Sequence, residues 1–398
     1  MQIIETDDAK SLEELMRGIK VDPYGIKIML PKGISHLVRI NSVSNITANI
    51  LKQEMLSFGG DVAVARDALT GKSKKTDCLL MGNLSQIERL KKKLGLQPFG
   101  LDRIGRELTQ SLANYHKNNF SIELGRYKLN PGKNTLIMGI LNLTPDSFSQ
   151  DGIYSEKKDP EIALDYAQKL VNDGADIIDV GGESSRPGAK PIPLKEELAR
   201  TIPVIKLLAK KIKVPISIDT YKPEVASEAL AYGVSLVNDI TGLTNRKMLR
   251  LVSAHRCGII IMHMRGNPRS MQKNPLYKSL IEEITEFLSQ SVQKAIGSGV
   301  SKNRIIIDPG IGFGKTADNN LEILKNLKRF KILGQPILVG PSRKSFIGKI
   351  LKTGPKERLF GTISSCMLAV GGQAKILRVH DVKEVKEALK ITEAVNRA

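Results

Sequence analysis

The run RIIIDPGIGFGKTA, residues 304–317, has the residue types to do chemistry. An apolar stretch ends in Asp308, a glycine-rich loop follows, and Lys315 and Thr316 close it. Gly-Lys-Thr is how a triphosphate-binding loop ends, in the pattern G-x-x-x-x-G-K-[ST]. Counted back from Gly314, the first glycine falls on Pro309, which has no N–H to offer a phosphate. The triphosphate reading fails, and a carboxylate at the tip of an apolar run remains.

Other apolar runs of the chain end in the same manner. Their tips carry Asn142, Asp179, Asp219 with Thr220, Asn238 with Asp239, His263, Asp308, then Arg343, Lys344 and Ser345, and last Arg378, His380 and Asp381. A single Asp after a strand is often only the cap of the next helix. Eight tips bearing acids, amides and cations are harder to explain as capping, and a convergent polar cluster is the default site hypothesis. The tips divide by chemistry. Asp219, Asn238 and Asp308 offer acceptors and an amide, which suit a flat heterocycle with several N–H donors. Lys344, Arg378 and His380 offer donors for an anion, with phosphate the usual candidate. Asn142 supplies a neutral oxygen of the kind Mg²⁺ accepts when phosphates and waters complete its shell.

The elements that must position these tips are eight β-branched runs, each followed by a loop and an amphipathic helix. The runs are 136–142, 176–181, 215–220, 235–240, 258–264, 304–310, 336–342 and 375–381. Strands that are apolar throughout belong to parallel sheets buried on both faces. Asp159 as cap, Pro160 at the first helical position and Gly174 as stop predict one of the intervening helices. The count and length predict an α/β fold, a (β/α)8 TIM barrel, with a doubly wound open sheet as the runner-up. Residues 120–136 read as a hairpin capping the barrel's bottom, which puts the barrel at 120–398. Residues 1–119 read as a small α/β domain plus a helical linker near 101–118. In that domain YGIKIMLP, HLVRIN, DVAVAR and DCLLMG look like strands, 44–60 and 84–95 like helices, and RDALTGKSKKTD like an exposed loop. It offers no catalytic constellation.

Composition excludes several classes. The net charge of +20 is spread nearly evenly along the chain, without a basic arm, and aromatics are 4% of residues. A solvated surface that attracts small anions is favoured over nucleic-acid binding. Cys78, Cys257 and Cys366 lie far apart and read as packing residues, and the five histidines have no H-x-x-x-H spacing. No apolar run reaches membrane-spanning length, and the acidic N-terminal stretch lacks a signal-peptide core, so a cytoplasmic protein is expected.

In order along residues 135–398, MGILNLTPDSFSQDG, DIIDVGGESSRPGA, SIDTYKPEVA, VNDITG, MHMRGNPRSMQ, DPGIGFGK, GPSRKSFIG, RLFGT and ILRVHDV resemble the motif series of the dihydropteroate synthases. The first two and RVHD are diagnostic. The resemblance implies condensation of 6-hydroxymethyl-7,8-dihydropterin pyrophosphate with p-aminobenzoate, giving 7,8-dihydropteroate and pyrophosphate, in folate biosynthesis. It implies that Asp219, Asn238, Asp308, Lys344 and Arg378 hold the pterin, and that Ser185, Arg378 and His380 contact the pyrophosphate. It also implies that Pro145, Phe148, Arg186, Pro187 and Ser345 shape the p-aminobenzoate subsite, that Asn142 ligates Mg²⁺, and that the enzyme is a homodimer. Ser185 stands where the family usually has threonine. The motifs give residues 1–119 no counterpart. Two alternatives stay open: a tetrahydropterin-dependent methyltransferase of the same barrel, which has no need for the anion-binding SRKS and RVHD, and a non-enzymatic binding module that retains the pocket.

Overall fold

The computed structural model describes the chain apart from residues 5, 7, 8, 99, 133, 145–158, 185–187, 272–274 and 398. It comprises two compact units, Met1–Leu112 and Ala113–Ala398.

In the first unit three antiparallel strands, β1 (Ser35–Ser44), β2 (Asp61–Val64) and β3 (Lys75–Asn83), lie in the order β1-β3-β2. Helices Asn45–Ser57 and Leu84–Leu94 pack with it, around a core that includes Leu51, Met55, Leu80, Ile87 and Leu90. Both starts are capped: the Ser44 hydroxyl accepts from Thr47 N at 3.1 Å, and Asn83 with Gln86 forms a capping box. Two expectations need correcting here. YGIKIMLP lies in a helix, Pro23–Gly33, and not in a strand. Asp22 caps it by accepting from Tyr24 N and Gly25 N, and Pro23 supplies a preset first helical position, so start signals outweigh the β-propensity of the isoleucines. The stretch read as the loop RDALTGKSKKTD begins with a short helix, Arg66–Thr70.

The second unit is a closed parallel barrel. Its strands are β6 (Leu136–Asn142), β7 (Ile177–Gly181), β8 (Ile216–Asp219), β9 (Leu236–Asp239), β10 (Gly258–Met262), β11 (Ile305–Asp308), β12 (Leu338–Val339) and β13 (Ile376–Val379). They run in the order β11-β10-β9-β8-β7-β6-β13-β12. A parallel bridge between Ile307 and Ile337 joins the ends, with Ile307 N donating to Pro336 O at 3.1 Å. The seventh strand is far shorter than 336–342, because Pro336 and Pro341 have no N–H for the ladder. The helix Pro160–Asn172 starts as expected, with Asp159 accepting from Glu161 N at 3.0 Å.

Side-chain alternation with period two builds the site. One set of strand residues, including Ile137, Ile178, Val237, Ile259, Ile307 and Leu377, meets the surrounding helices. The other set points inward, and its lowest layer is Met138, Ile177, Leu236, Ile260, Ile306, Leu338 and Ile376. A hairpin of β4 (Ile122–Leu124) and β5 (Tyr127–Leu129) plugs that layer with Ile122 and Leu124. Gly258 makes room for the plug, since a Cβ there would stand 2.2 Å from Leu124 Cδ2. Two residues further along the same inward rows come Asp179, Asn238, Asp308 and Arg378.

Candidate active site

At the centre of the barrel mouth Arg378 bridges two carboxylates. Its Nε donates to Asp179 Oδ2 at 2.6 Å and its Nη2 to Asp219 Oδ2 at 2.8 Å. Asn238 Nδ2 donates to Asp179 Oδ2 at 3.2 Å. Asp179 is fully buried, and neither its Oδ1 nor the neighbouring Ser217 Oγ has a partner among the described residues. Desolvation works against the Arg378 charge, but Asp179 and Asp219 outweigh it and hold its pKa above the usual value. Burial pushes Asp219 up to about 7, with Arg378 opposing and Asp179 and Glu197 adding to the rise. Sequence reasoning gave Asp179 no role. The signal was present in IIDVG: an acid inside a strand buried on both faces must find a buried cation.

Asn142 stands beside this group. It pairs in register with Gly181, and Gly181 pairs with Asp219. A Cβ on Gly181 would lie 3.2 Å from Asn142 Oδ1 and 3.7 Å from Asp219 Cβ, so the missing side chain leaves the amide oxygen and the carboxylate facing one cradle. The described residues contain no cluster of three or more His, Cys, Asp or Glu able to hold a metal. A single amide oxygen suits Mg²⁺ only if a bound phosphate group brings the remaining ligands.

Asp308 ends β11, buried, with Oδ1 accepting from Gly310 N at 2.6 Å. Burial pushes it up to about 6, against Gly310 N–H and the charges of Lys344, Lys315 and Arg378. The loop that follows also turns back on the protein. Gly312 N donates to Asn320 Oδ1 at 2.7 Å, and Lys344 Nζ lies 4.1 Å from the centre of the Phe313 ring. Lys315, the residue that suggested a phosphate loop, is 2% exposed and faces inward, donating to Phe313 O and His263 O. Of the strand-seven tip, Arg343 is drawn off by Asp381, at 2.6 and 3.2 Å, while Lys344 belongs to the basin. Ser345 is exposed and opens the helix Ser345–Leu351. His380 shares a 3.0 Å contact with Ser342 Oγ through Nδ1.

The structure thus brings Asn142, Asp219, Asn238, Asp308, Lys344 and Arg378 to one basin, with His380 just past the end of β13, two residues beyond Arg378. Pro145, Phe148, Ser185, Arg186 and Pro187 lie outside the described residues. Asp239 serves its own loop instead: its carboxylate accepts from Thr241 N, Thr241 Oγ1 and Leu243 N and shapes a turn.

A second, partly buried network left no signal in the sequence. Lys222 Nζ contacts Glu183 Oε2 and Glu197 Oε2, each at 2.5 Å, and donates to Ile192 O at 3.0 Å. Tyr221 OH donates to Glu183 Oε1 at 2.8 Å, and Thr220 Oγ1 to Glu197 Oε1 at 2.7 Å. Burial opposes the Lys222 charge, but the two glutamates raise its pKa. These bonds tie residues 183 and 192 to the segment that follows Asp219.

With this geometry in view, a family model described as pterin binding enzyme matches residues 138–380. A dihydropteroate synthase of Synechocystis sp. is 48% identical over 278 residues, spanning 69% of this chain and 95% of its own. A structure of Xanthomonas albilineans dihydropteroate synthase with 4-aminobenzoic acid superposes with a TM-score of 0.66 at 37% identity, over 70% of this chain and 99% of its own. A probable bifunctional folylpolyglutamate synthase/dihydropteroate synthase of Halobacterium salinarum is 36% identical over 394 residues, 98% of this chain and 46% of that protein. That match extends through the N-terminal third, for which the sequence motifs gave no counterpart. By its sequence match and its barrel together, the chain belongs to the pterin-binding enzyme family, among the dihydropteroate synthases.

Proposed function

We propose that this chain is a transferase that joins 6-hydroxymethyl-7,8-dihydropterin pyrophosphate to p-aminobenzoate, giving 7,8-dihydropteroate and pyrophosphate in folate biosynthesis. The observation that carries this reading is the meeting, at one barrel mouth, of buried carboxylates with the cations Lys344 and Arg378. Asp219, Asn238 and Asp308 take the N–H edge of the pterin, and Lys344 lies on its carbonyl side. Arg378, held by Asp179 and Asp219, stacks near the ring face and turns its charge toward the leaving group, with His380 and Ser185 further along the phosphates. The bond from the pterin methylene to the pyrophosphate oxygen breaks, and its electron pair leaves with the pyrophosphate. The methylene becomes cationic, stabilised by the ring and the buried carboxylates. The arylamine nitrogen, whose subsite the family resemblance assigns to Pro145, Phe148, Arg186, Pro187 and Ser345, then forms the new C–N bond and afterwards releases its proton. No strong base is required. Positioning can supply about 7–11 kcal/mol of the barrier reduction, with fixed dipoles and charges adding to it. Mg²⁺, held by the Asn142 amide oxygen and by substrate phosphates, would neutralise charge on the departing pyrophosphate.

The test is incubation with both substrates and Mg²⁺, followed by detection of dihydropteroate. Lys344→Ala should abolish turnover with little loss of fold, and full pyrophosphate release by that variant would overturn the assignment. Methyl transfer from methyltetrahydrofolate, without condensation, would support the methyltransferase alternative. Among the described residues no helix is long and apolar enough to cross a membrane. On the same reading the enzyme acts in the cytoplasm as a homodimer, and a monomeric boundary in sedimentation velocity would remove the dimer.

A further inference from the structure

Lys315 is a buried titratable group beside the basin that the reaction above leaves without a task. Its Nζ sits 3.0 Å from His263 Nδ1, donates to Phe313 O at 3.0 Å and to His263 O at 3.3 Å. No carboxylate neutralises it by direct contact among the described residues. Burying an ammonium on neutral acceptors is costly, and burial depresses its pKa to about 7. A methionine would fill the same space more cheaply, so the fold alone does not call for a lysine there.

The geometry shows what the three bonds accomplish. They cross-link the carboxyl end of β10 to the glycine loop after β11, and that loop is seated with no slack. A Cβ on Gly310, where φ is +73°, would meet His263 O at 2.0 Å and lie 3.3 Å from Lys315 Nζ. A Cβ on Gly314 would meet Arg265 O at 2.5 Å, and Tyr277 OH clamps Gly314 O at 2.8 Å. The loop in turn fixes both working groups. Gly310 N–H holds the Asp308 carboxylate, and Gly312 and Phe313 form the wall against which Lys344 lies, 2.9 Å from a Gly312 Cβ to Lys344 Cδ.

We propose that Lys315 is the positioning residue of the pterin half of the site, fixing Asp308 and Lys344 by locking the 310–314 loop onto the end of β10. This rests on the pterin reading of the basin given above. The charged groups facing Lys315 are Asp308 at the end of β11 and Lys344 after β12. His263, packed edge-on against Phe287 and tilted toward Tyr277, is held neutral by burial, its pKa pushed down to about 2 with Lys315 and Arg265 adding to the effect. Lys315 therefore also favours the ionised form of Asp308.

The experiment compares full-length wild type with Lys315→Met and Lys315→Gln. KM is measured separately for 6-hydroxymethyl-7,8-dihydropterin pyrophosphate and for p-aminobenzoate, across pH 5–9. For Lys315→Met the pterin KM should rise at least about tenfold while the p-aminobenzoate KM stays within about twofold. The acid limb of the pterin kcat/KM should move to higher pH, since Asp308 loses a neighbouring charge. Lys315→Gln, which keeps N–H donors without the charge, should recover much of the affinity but not the acid limb. A purely structural lysine would leave that limb in place. Unchanged pterin KM and unchanged pH midpoint in Lys315→Met, beside an active wild type, would overturn the positioning role alone. Failure of both variants to fold would overturn it by making Lys315 a folding residue. A wild type that neither binds nor consumes the pterin would overturn the site reading itself.

Discussion

The residue that reorganises the site is Asp179, because it fixes how Arg378 is presented. An arginine flanked by two carboxylates cannot swing freely, and removing it would strand buried charge. Among the described residues no cation is in direct contact with Asp308, and its carboxylate accepts from the Gly310 N–H. Asp308→Asn should therefore weaken binding of the pterin substrate by about 1.5–3 kcal/mol, about 10- to 150-fold, by titration calorimetry. Acid should act on the same acceptors. Burial raises Asp219 to about 7 and Asp308 to about 6, so each gains a proton as pH falls through those values, and the pterin loses charged acceptors. The kcat/KM for pterin should fall on the acid side with a midpoint in that range, and a profile flat down to pH 5 would contradict the burial argument. Stability runs the other way for the ligand-free fold. An acid raised above the ordinary carboxylate value of 3.8 holds its proton longer when folded, so its contribution declines as pH rises from near that value through the raised one.

At the scale of elements, the mouth is built from strands that stop early and loops that are tied down. β12 keeps two residues of pairing, and the prolines beside it free the chain to turn Lys344 into the basin while Arg343, at φ +56°, turns to Asp381. After β7 the anchor is the Lys222 network. Glu197 is almost fully buried and the Glu183 side chain is 9% exposed, so removing the cation strands both charges. Lys222→Met should cost about 3–5 kcal/mol and lower the urea midpoint of the barrel's unfolding. An unchanged midpoint would contradict the anchoring role of this network.

For the molecule as a whole, the candidate site residues all fall in the unit Ala113–Ala398. Its first segment belongs to it structurally: Asn114 Nδ2 donates to Ile332 O, Lys117 Nζ to Gly334 O, and Lys331 Nζ to Asn118 Oδ1. A cut at Phe120 removes those bonds, whereas a cut before Ala113 keeps them. A chain beginning at Ala113 should retain the pterin and p-aminobenzoate KM within about threefold and melt cooperatively, seen by turnover and by circular dichroism. Loss of turnover in a folded truncate would give the N-terminal unit a catalytic part.

The barrel was legible because parallel strands buried on both faces must be apolar throughout, and eight such runs with helices between them admit few arrangements. The pterin acids were legible because each interrupts or ends such a run. The partners of Asp179, Glu183 and Lys222 emerged only in three dimensions, since a charge pair between separate segments of the barrel leaves no fixed spacing in the chain. The helix at Pro23–Gly33 escaped a propensity reading because two residues at its start decide it. The direction of Lys315 was likewise beyond the sequence: the same Gly-Lys-Thr serves a phosphate or a backbone carbonyl, and only the packing of β10 against the 310–314 loop chose the carbonyl.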